Sequence, residues 1–240
     1  MVQETHNGME GWNVSDTTDR CYLNRVYTLH NYYRNRVYTQ LVSGKMRARM
    51  ILLGGVCGIV QPILTLFMVV AATVISPWFR WDTNAVSELG VGEVSLLFNS
   101  AMWLGGVFGF IFALGLRKYL IGNRHGNTGS FLIMVGGVCL FLVGVFTITF
   151  LAAHAIVALG YFILVPIGIL LIGFGDGEKT TKTLSLATGT AALLAILVLP
   201  TIIFILHFKV GFAVPEITHG LIIAVWTIFM GIKLSARCPH

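Results

Sequence analysis

The chain has 240 residues, of which 56% are apolar and only 11% charged, and its mean hydropathy is +0.82; a soluble domain of this length is excluded on composition alone. The net charge of +6 does not indicate nucleic acid, because the basic residues sit at the ends of apolar segments and form no stripe. Four cysteines without a CxxC pair, two of them (Cys57 and Cys139) inside apolar stretches, argue against both a disulfide framework and a cysteine metal site.

Residues 1–21 are polar and aperiodic and read as a disordered tail. Because a polar segment of about forty-five residues precedes the first apolar stretch, that stretch reads as a retained anchor and not as a cleaved signal. Over residues 22–45, Tyr22, Val26, Leu29, Tyr33, Val37 and Leu41 recur at three- and four-residue steps, with Arg25, Arg34 and Arg36 off the stripe. This predicts a basic, tyrosine-rich amphipathic helix in the membrane interface. Within it Asn24-Arg25-Val26-Tyr27-Thr28 recurs as Asn35-Arg36-Val37-Tyr38-Thr39, a spacing that keeps both copies on one face. A poorly ordered segment, or initiation at Met46 or Met50, is the alternative.

Residues 46–240 read as an all-α transmembrane bundle with six spans, at about 50–75, 94–116, 130–150, 156–174, 184–206 and 215–232. The apolar run from Phe131 to Phe174 is too long for one crossing at 1.5 Å per residue, and a break is predicted near Ala152 to His154. With six spans and the N-terminus inside, only Arg80 and Lys209 of the sixteen Lys and Arg residues fall outside. Such an asymmetry predicts a multi-pass protein of the cell membrane with both termini cytoplasmic.

Gly54-Gly55-Val56-Cys57-Gly58, Gly105-Gly106-Val107-Phe108-Gly109 and Gly136-Gly137 read as packing faces, since small residues let helix backbones approach where lipid supplies no hydrophobic drive. Any such face left over would support a homo-oligomer. Gln61-Pro62, in mid-span, predicts a packed kink.

Ionisable groups at or in a membrane are the default functional candidates. Under the predicted topology Asp82, Glu88, Glu93, His154, His207, Glu216 and His219 all lie on the outer side. His154 is placed at the turn between the third and fourth spans, while Glu216 and His219 are three apart at the start of the last helix and point towards one pocket. His154, His219 and Glu216 would suit a zinc-like divalent metal or a proton relay, with Asp82, Glu88 and Glu216 as the catalytic carboxylate candidates. The competing reading caps helix ends with hydrogen-bonded side chains; no HExxH-type motif is present, and no cofactor is expected. His207, beside Lys209, reads as solvent-facing. The loop from Ser76 to Gly90 combines Trp78 and Trp81, suited to an interfacial belt, with a polar run. Asp82, Ser87 and Glu88 would either line a headgroup pocket or bond the loop's own backbone. Gly175-Asp176-Gly177-Glu178-Lys179 lacks the order of a phosphate loop and reads as a turn, and the Asn13-Val14-Ser15 sequon falls on the cytoplasmic side.

Ser87-Glu88-Leu89-Gly90, followed by Leu97-Phe98-Asn99-Ser100 and Gly105-Gly106, resembles the largely archaeal membrane family called domain of unknown function 998, over roughly Met50 to Ile232. More distantly the layout is similar to the DRAM-like six-helix family. The resemblance implies a six-helix bundle in which Ser87, Gly90 and Asn99 occupy the motif, with Glu88 beside Ser87 in the loop, and it implies no reaction. Three functions follow from the residues: a non-enzymatic protein that binds or organises membrane lipids, a membrane-embedded metal-assisted hydrolase acting on lipid, and a small transporter. Lipids are the expected partners in each.

Overall fold

The structure is a computed structural model that describes residues 17–206 and 210–236. The 1–16 tail, the sequon, His207, Lys209, Arg237 and Cys238 lie outside the described residues. The chain divides into two units, residues 1–46 and 47–240. The described part of the first is helical from Thr17.

The helices are α1 (Thr17–Val74), α2 (Ser95–Tyr119), α3 (Arg124–Val145), α4 (Leu151–Gly175), α5 (Lys179–Leu197), α6 (Leu199–Ile205) and α7 (Ala213–Ala236). Two 3₁₀ turns, Val86–Gly90 and Ile148–Phe150, lie between them. Six segments are long and apolar enough to cross a membrane: Ser43–Val74, Ser95–Tyr119, Arg124–Val145, Ile148–Gly175, Lys179–Ile205 and Ala213–Ala236. The protein is a multi-pass membrane protein, as composition predicts.

The first, third and fifth spans start earlier than expected, at Ser43, Arg124 and Lys179, and two breaks in the helices also differ from the sequence reading. The third span stops at Val145 and the fourth starts at Ile148, so the break precedes Ala152–His154. It falls at Phe146-Thr147, where the hydroxyls of Thr147 and Thr149 bond each other at 2.7 Å in place of the helical ladder. The fifth span is interrupted at Val198, where Pro200, in the first turn of α6, has no N–H to continue the α5 ladder. By contrast α1 runs through Pro62 as one helix.

Sequence-adjacent helices pack in turn from α2 to α5, and α5 packs on α7. The ring is closed by α1, which meets α2 on one side and α7 on the other through glycine. A Cβ on Gly54 would lie 2.6 Å from Gly115 Cα, and one on Gly55 would lie 2.8 Å from the Gly231 carbonyl. The predicted glycine faces are thus consumed within the bundle at these positions, by backbone contacts that any side chain would block. Centrally, Trp226 of α7 packs edge-on to Phe112 of α2 at 6.0 Å and donates its indole N–H to Ser185 Oγ of α5 at 2.8 Å. Their neighbours Ile169, Met230 and Leu234 are fully buried.

The two ends of the bundle differ. At the turn end, α2 finishes with Arg117 and Lys118, which complement its dipole. The chain then reverses at Gly122, whose φ of 90° favours glycine, and Asn123 caps α3 by accepting from the Gly126 N–H at 2.9 Å. The Asn123 amide also donates to the Gly175 carbonyl at 2.5 Å, tying this turn to the end of α4. Beside it Lys233 of α7, with a 10% exposed side chain, pairs with Glu178 at 2.5 Å and Asp176 at 3.9 Å. It also donates to the Thr181 hydroxyl and stands 5.9 Å from the centre of the Tyr119 ring. The predicted turn at Gly175 to Lys179 is a turn, and its acidic residues hold this lysine. The opposite end, the loop end, carries residues 75–94.

Candidate functional site

The loop after α1 is built by its own side chains and by α7. Phe79 is buried between the more exposed Trp78 and Trp81, edge-on to each at 6.1 and 5.3 Å. Asn84 Oδ1 accepts from the Arg80 N–H at 2.9 Å, and its amide donates to Glu88 Oε2 at 2.6 Å. Glu88 Oε1 accepts from the Ala85 N–H at 2.9 Å, which starts the Val86–Gly90 turn. Gly90 then ends that turn against Asn99 of α2, whose amide donates to the Gly90 carbonyl at 3.2 Å. Leu89 is fully buried beneath. Asn84 and Glu88 therefore bond the loop's own backbone, whereas Asp82 pairs with the Arg80 side chain and Ser87 bonds Glu216. Asp82 forms an exposed pair with Arg80 at 2.8 Å, which raises the guanidinium pKa, first by the hydrogen bond and then by charge.

The start of α7 binds this loop at three points. The Gly211 N–H donates to the Trp81 carbonyl and the Ala213 N–H to the Asn84 carbonyl, both at 3.0 Å. The third point is Glu216, whose Oε2 accepts from the Val86 N–H at 2.5 Å. The backbone N–H and hydroxyl of Ser87 also bond this carboxylate. A glutamate inside a membrane span is thus the acceptor on which the 3₁₀ turn is seated.

Beneath the turn lies a cavity of about 110 Å³. Val86 and Ser87 roof it, Glu216 and His154 stand at its polar side, and Val69, Phe98, Met102, Leu140, Val143 and Ile217 supply an apolar wall. Thr65, Tyr161 and Gly220 also line it. Thr65 lies nine residues before the end of α1, so the cavity reaches roughly 13 Å into the bundle. The Thr65 hydroxyl is buried with no hydrogen-bond partner among the described residues.

The two described histidines of the predicted site are separated. His154 is on the first turn of α4, not in the interhelical turn, and its Nδ1–H donates back to the Phe146 carbonyl at 2.7 Å. A carbonyl can only accept, so the proton of that ring is on Nδ1. His219 is fully buried and faces α4 and α5: its Nδ1–H donates to the Ala192 carbonyl at 3.1 Å, and its ring meets the edges of Phe162 and Tyr161 at 4.9 and 5.7 Å. His219 Nε2 has no partner among the described residues. Three helical residues turn through about 300°, which leaves Glu216 and His219 about 60° apart, enough for different neighbours to claim them. The structure therefore brings Glu216, Ser87 and His154 to one cavity and leaves His219 outside it. Among the described residues no group of three or more His, Cys, Asp or Glu is arranged to hold a metal ion, so the expected set of His154, His219 and Glu216 is not formed. Glu93 and Glu88 border a separate surface depression with Trp78 and Thr149.

The chain matches, over residues 59–233, the model of a family described as protein of unknown function DUF998. It belongs to this family. The DUF998 match runs from Ile59 in α1 to Lys233 in α7 and takes in the loop, every residue lining the cavity, and the lysine cluster at the turn end. No curated protein and no solved structure matches the chain. Tyr161, Thr65 and Gly220 escape sequence reasoning, because an aromatic, a threonine and a glycine within a span carry no mark that separates cavity lining from helix packing.

Proposed function

We propose that this DUF998 protein is a non-enzymatic membrane protein that holds an apolar chain of a membrane amphiphile in the cavity beneath the Val86–Gly90 turn. The observation that carries this reading is the composition of the cavity: a mostly apolar wall within the bundle, with Glu216, Ser87 and His154 on the side nearest the loop and only the Thr65 and Tyr161 hydroxyls deeper. That gradient matches a molecule with a hydrocarbon tail and a polar head. Size sets the scale. A dry cavity of about 150 Å³ accepts benzene, so one of about 110 Å³ admits a few methylene groups or a chain end and not a whole two-chain lipid. The turn that roofs the cavity is held by hydrogen bonds to Glu216. With the lysine and arginine distribution, we place the loop end outside the cell membrane and both termini in the cytoplasm.

The test is binding of dodecanol and dodecylamine to protein purified in a steroid-based detergent with no alkyl chain, followed by native mass spectrometry. Gly220 lines the cavity and a Cβ there meets only Leu66 Cδ2, at 3.9 Å, so Gly220→Leu adds side-chain volume at the lining. One-to-one adducts on the wild type, weakened about tenfold in Gly220→Leu at an unchanged thermal midpoint, are expected. Adducts equally abundant in both proteins would place the amphiphile elsewhere and refute the proposal.

A further inference from the structure

Glu216 is a carboxyl group with no cation beside it among the described residues. The described residues form three ion pairs, Arg80 with Asp82 and Lys233 with Asp176 and with Glu178, and Glu216 belongs to none of them. No lysine or arginine lines the cavity. The groups that do bond the carboxylate, Val86 N–H and the N–H and hydroxyl of Ser87, are neutral donors. The nearest further charge is Glu88, also acidic, which is held by the neutral donors of Asn84 and Ala85. His154 spends its Nδ1–H on the Phe146 carbonyl. The polar side of the cavity is thus rich in carboxyl oxygens and holds no lysine or arginine.

A carboxylate offers about four lone-pair sites, and three donors leave room for one more. Ionising a carboxyl in a membrane span is costly without a counter-charge, and a ligand that brings one stabilises the ionised form. The cavity wall also includes the rings of Phe98, Tyr161 and Phe162, and aromatic faces attract organic cations. A phosphate or carboxylate head would meet Glu216 and Glu88 with like charge, whereas a hydroxyl head would meet an acceptor but supply no compensation.

We infer that the amphiphile held in this cavity has a cationic, alkylammonium head, seated between the Glu216 carboxylate and the aromatic wall, with its hydrocarbon chain running into the bundle. The inference rests on the cavity being the binding site, and it names the chemical class of the ligand. It assigns Glu216 two tasks, holding the Val86–Gly90 turn and pairing the head, so that the ligand and the roof share one side chain.

The experiment compares dodecylamine, dodecanol and dodecanoate at one pH near neutrality on wild type, Glu216→Gln and Gly220→Leu, in the same detergent with no alkyl chain. Glutamine keeps an oxygen for the Val86 N–H and removes the charge. The expected order on the wild type is amine over alcohol by about tenfold, with dodecanoate weakest. Glu216→Gln brings the amine to the level of the alcohol, and Gly220→Leu weakens both. Equal binding of the three heads on the wild type, still abolished by Gly220→Leu, overturns the head assignment and keeps the cavity. Binding indifferent to Gly220→Leu overturns the cavity reading itself. A preference for the amine that survives Glu216→Gln overturns the role of Glu216. Should that variant fail to fold, the ranking of the three heads on the wild type decides the matter alone.

Discussion

Replacing Glu216 by alanine tests whether the loop is seated on this carboxylate. The change deletes the acceptor of the Val86 N–H, a bond of 2.5 Å to a buried residue, together with the partner of Ser87. Leaving one buried donor unsatisfied costs about 1–3 kcal/mol, which is a shift of about five- to 150-fold in a local opening equilibrium. The backbone bonds from Gly211 to Trp81 and from Ala213 to Asn84 remain, so the loss is confined to the 3₁₀ turn and does not spread to the bundle. Hydrogen–deuterium exchange read by mass spectrometry on a peptide covering residues 82–92 measures it, with a peptide inside α2 as control. Exchange of the loop peptide should accelerate by that factor while the α2 peptide is unchanged. Glu216→Gln, which keeps an oxygen acceptor, should fall between the two. Wild-type exchange rates in Glu216→Ala, to within about twofold, would mean that the carboxylate does not hold the roof and that the loop is secured by its internal bonds alone.

Further outcomes follow from other contacts. Gly54→Ala should lower stability by about 1–3 kcal/mol in thermal unfolding, because its Cβ would stand 2.6 Å from Gly115 Cα, whereas Gly109→Ala should be neutral, with no atom within 4 Å of the new carbon. A loss of equal size at both positions would remove the argument that α1 and α2 touch through backbone. For orientation, with Cys21 and Cys238 replaced by serine, Glu93→Cys should react with a membrane-impermeant maleimide on intact cells and Gly177→Cys only after permeabilisation; the reverse pattern would invert the proposed topology. Lys233→Met, which removes the cation shared by Asp176 and Glu178, should destabilise the protein by about 1–3 kcal/mol, less than a fully buried pair because Glu178 is half exposed. An unchanged midpoint would reduce that cluster to a solvated surface pair.

The six spans were legible because hydropathy over some twenty residues reports the solvent, and the solvent here is lipid. The break between the third and fourth was misplaced for the same reason: Ile148, Phe150 and Leu151 are as apolar as the helices they join. The signal at Thr147 and Thr149 is a pair of hydroxyls that a hydropathy average smooths away. His154 looked like the turn because it was the first conspicuous polar residue, yet it lies on the first turn of α4 with its ring reaching back to close the true one. Glu216 and His219 show the limit of helical spacing. A three-residue step identifies one broad side of a helix, and neighbours packed around α7 divide that side between the loop and α5. The alternative in which loop side chains bond the loop's own backbone describes Asn84 and Glu88 well. What no sequence pattern could supply was the contact between Glu216 and Val86, 130 residues apart, since it depends on the closing of the helix ring.

The lysine cluster at the turn end sets which way this bundle can breathe. Lys233 joins α7 to the start of α5, Tyr119 brings in the end of α2, and the Asn123 amide fastens the α2–α3 turn to the last carbonyl of α4. Helix ends from most of the ring are therefore stitched together at one membrane face. At the other, α7 is joined to the covering loop by a few main-chain bonds and a single carboxylate. The ionic clasp therefore lies at the end opposite the cavity, and an opening of the loop end need not unpick it.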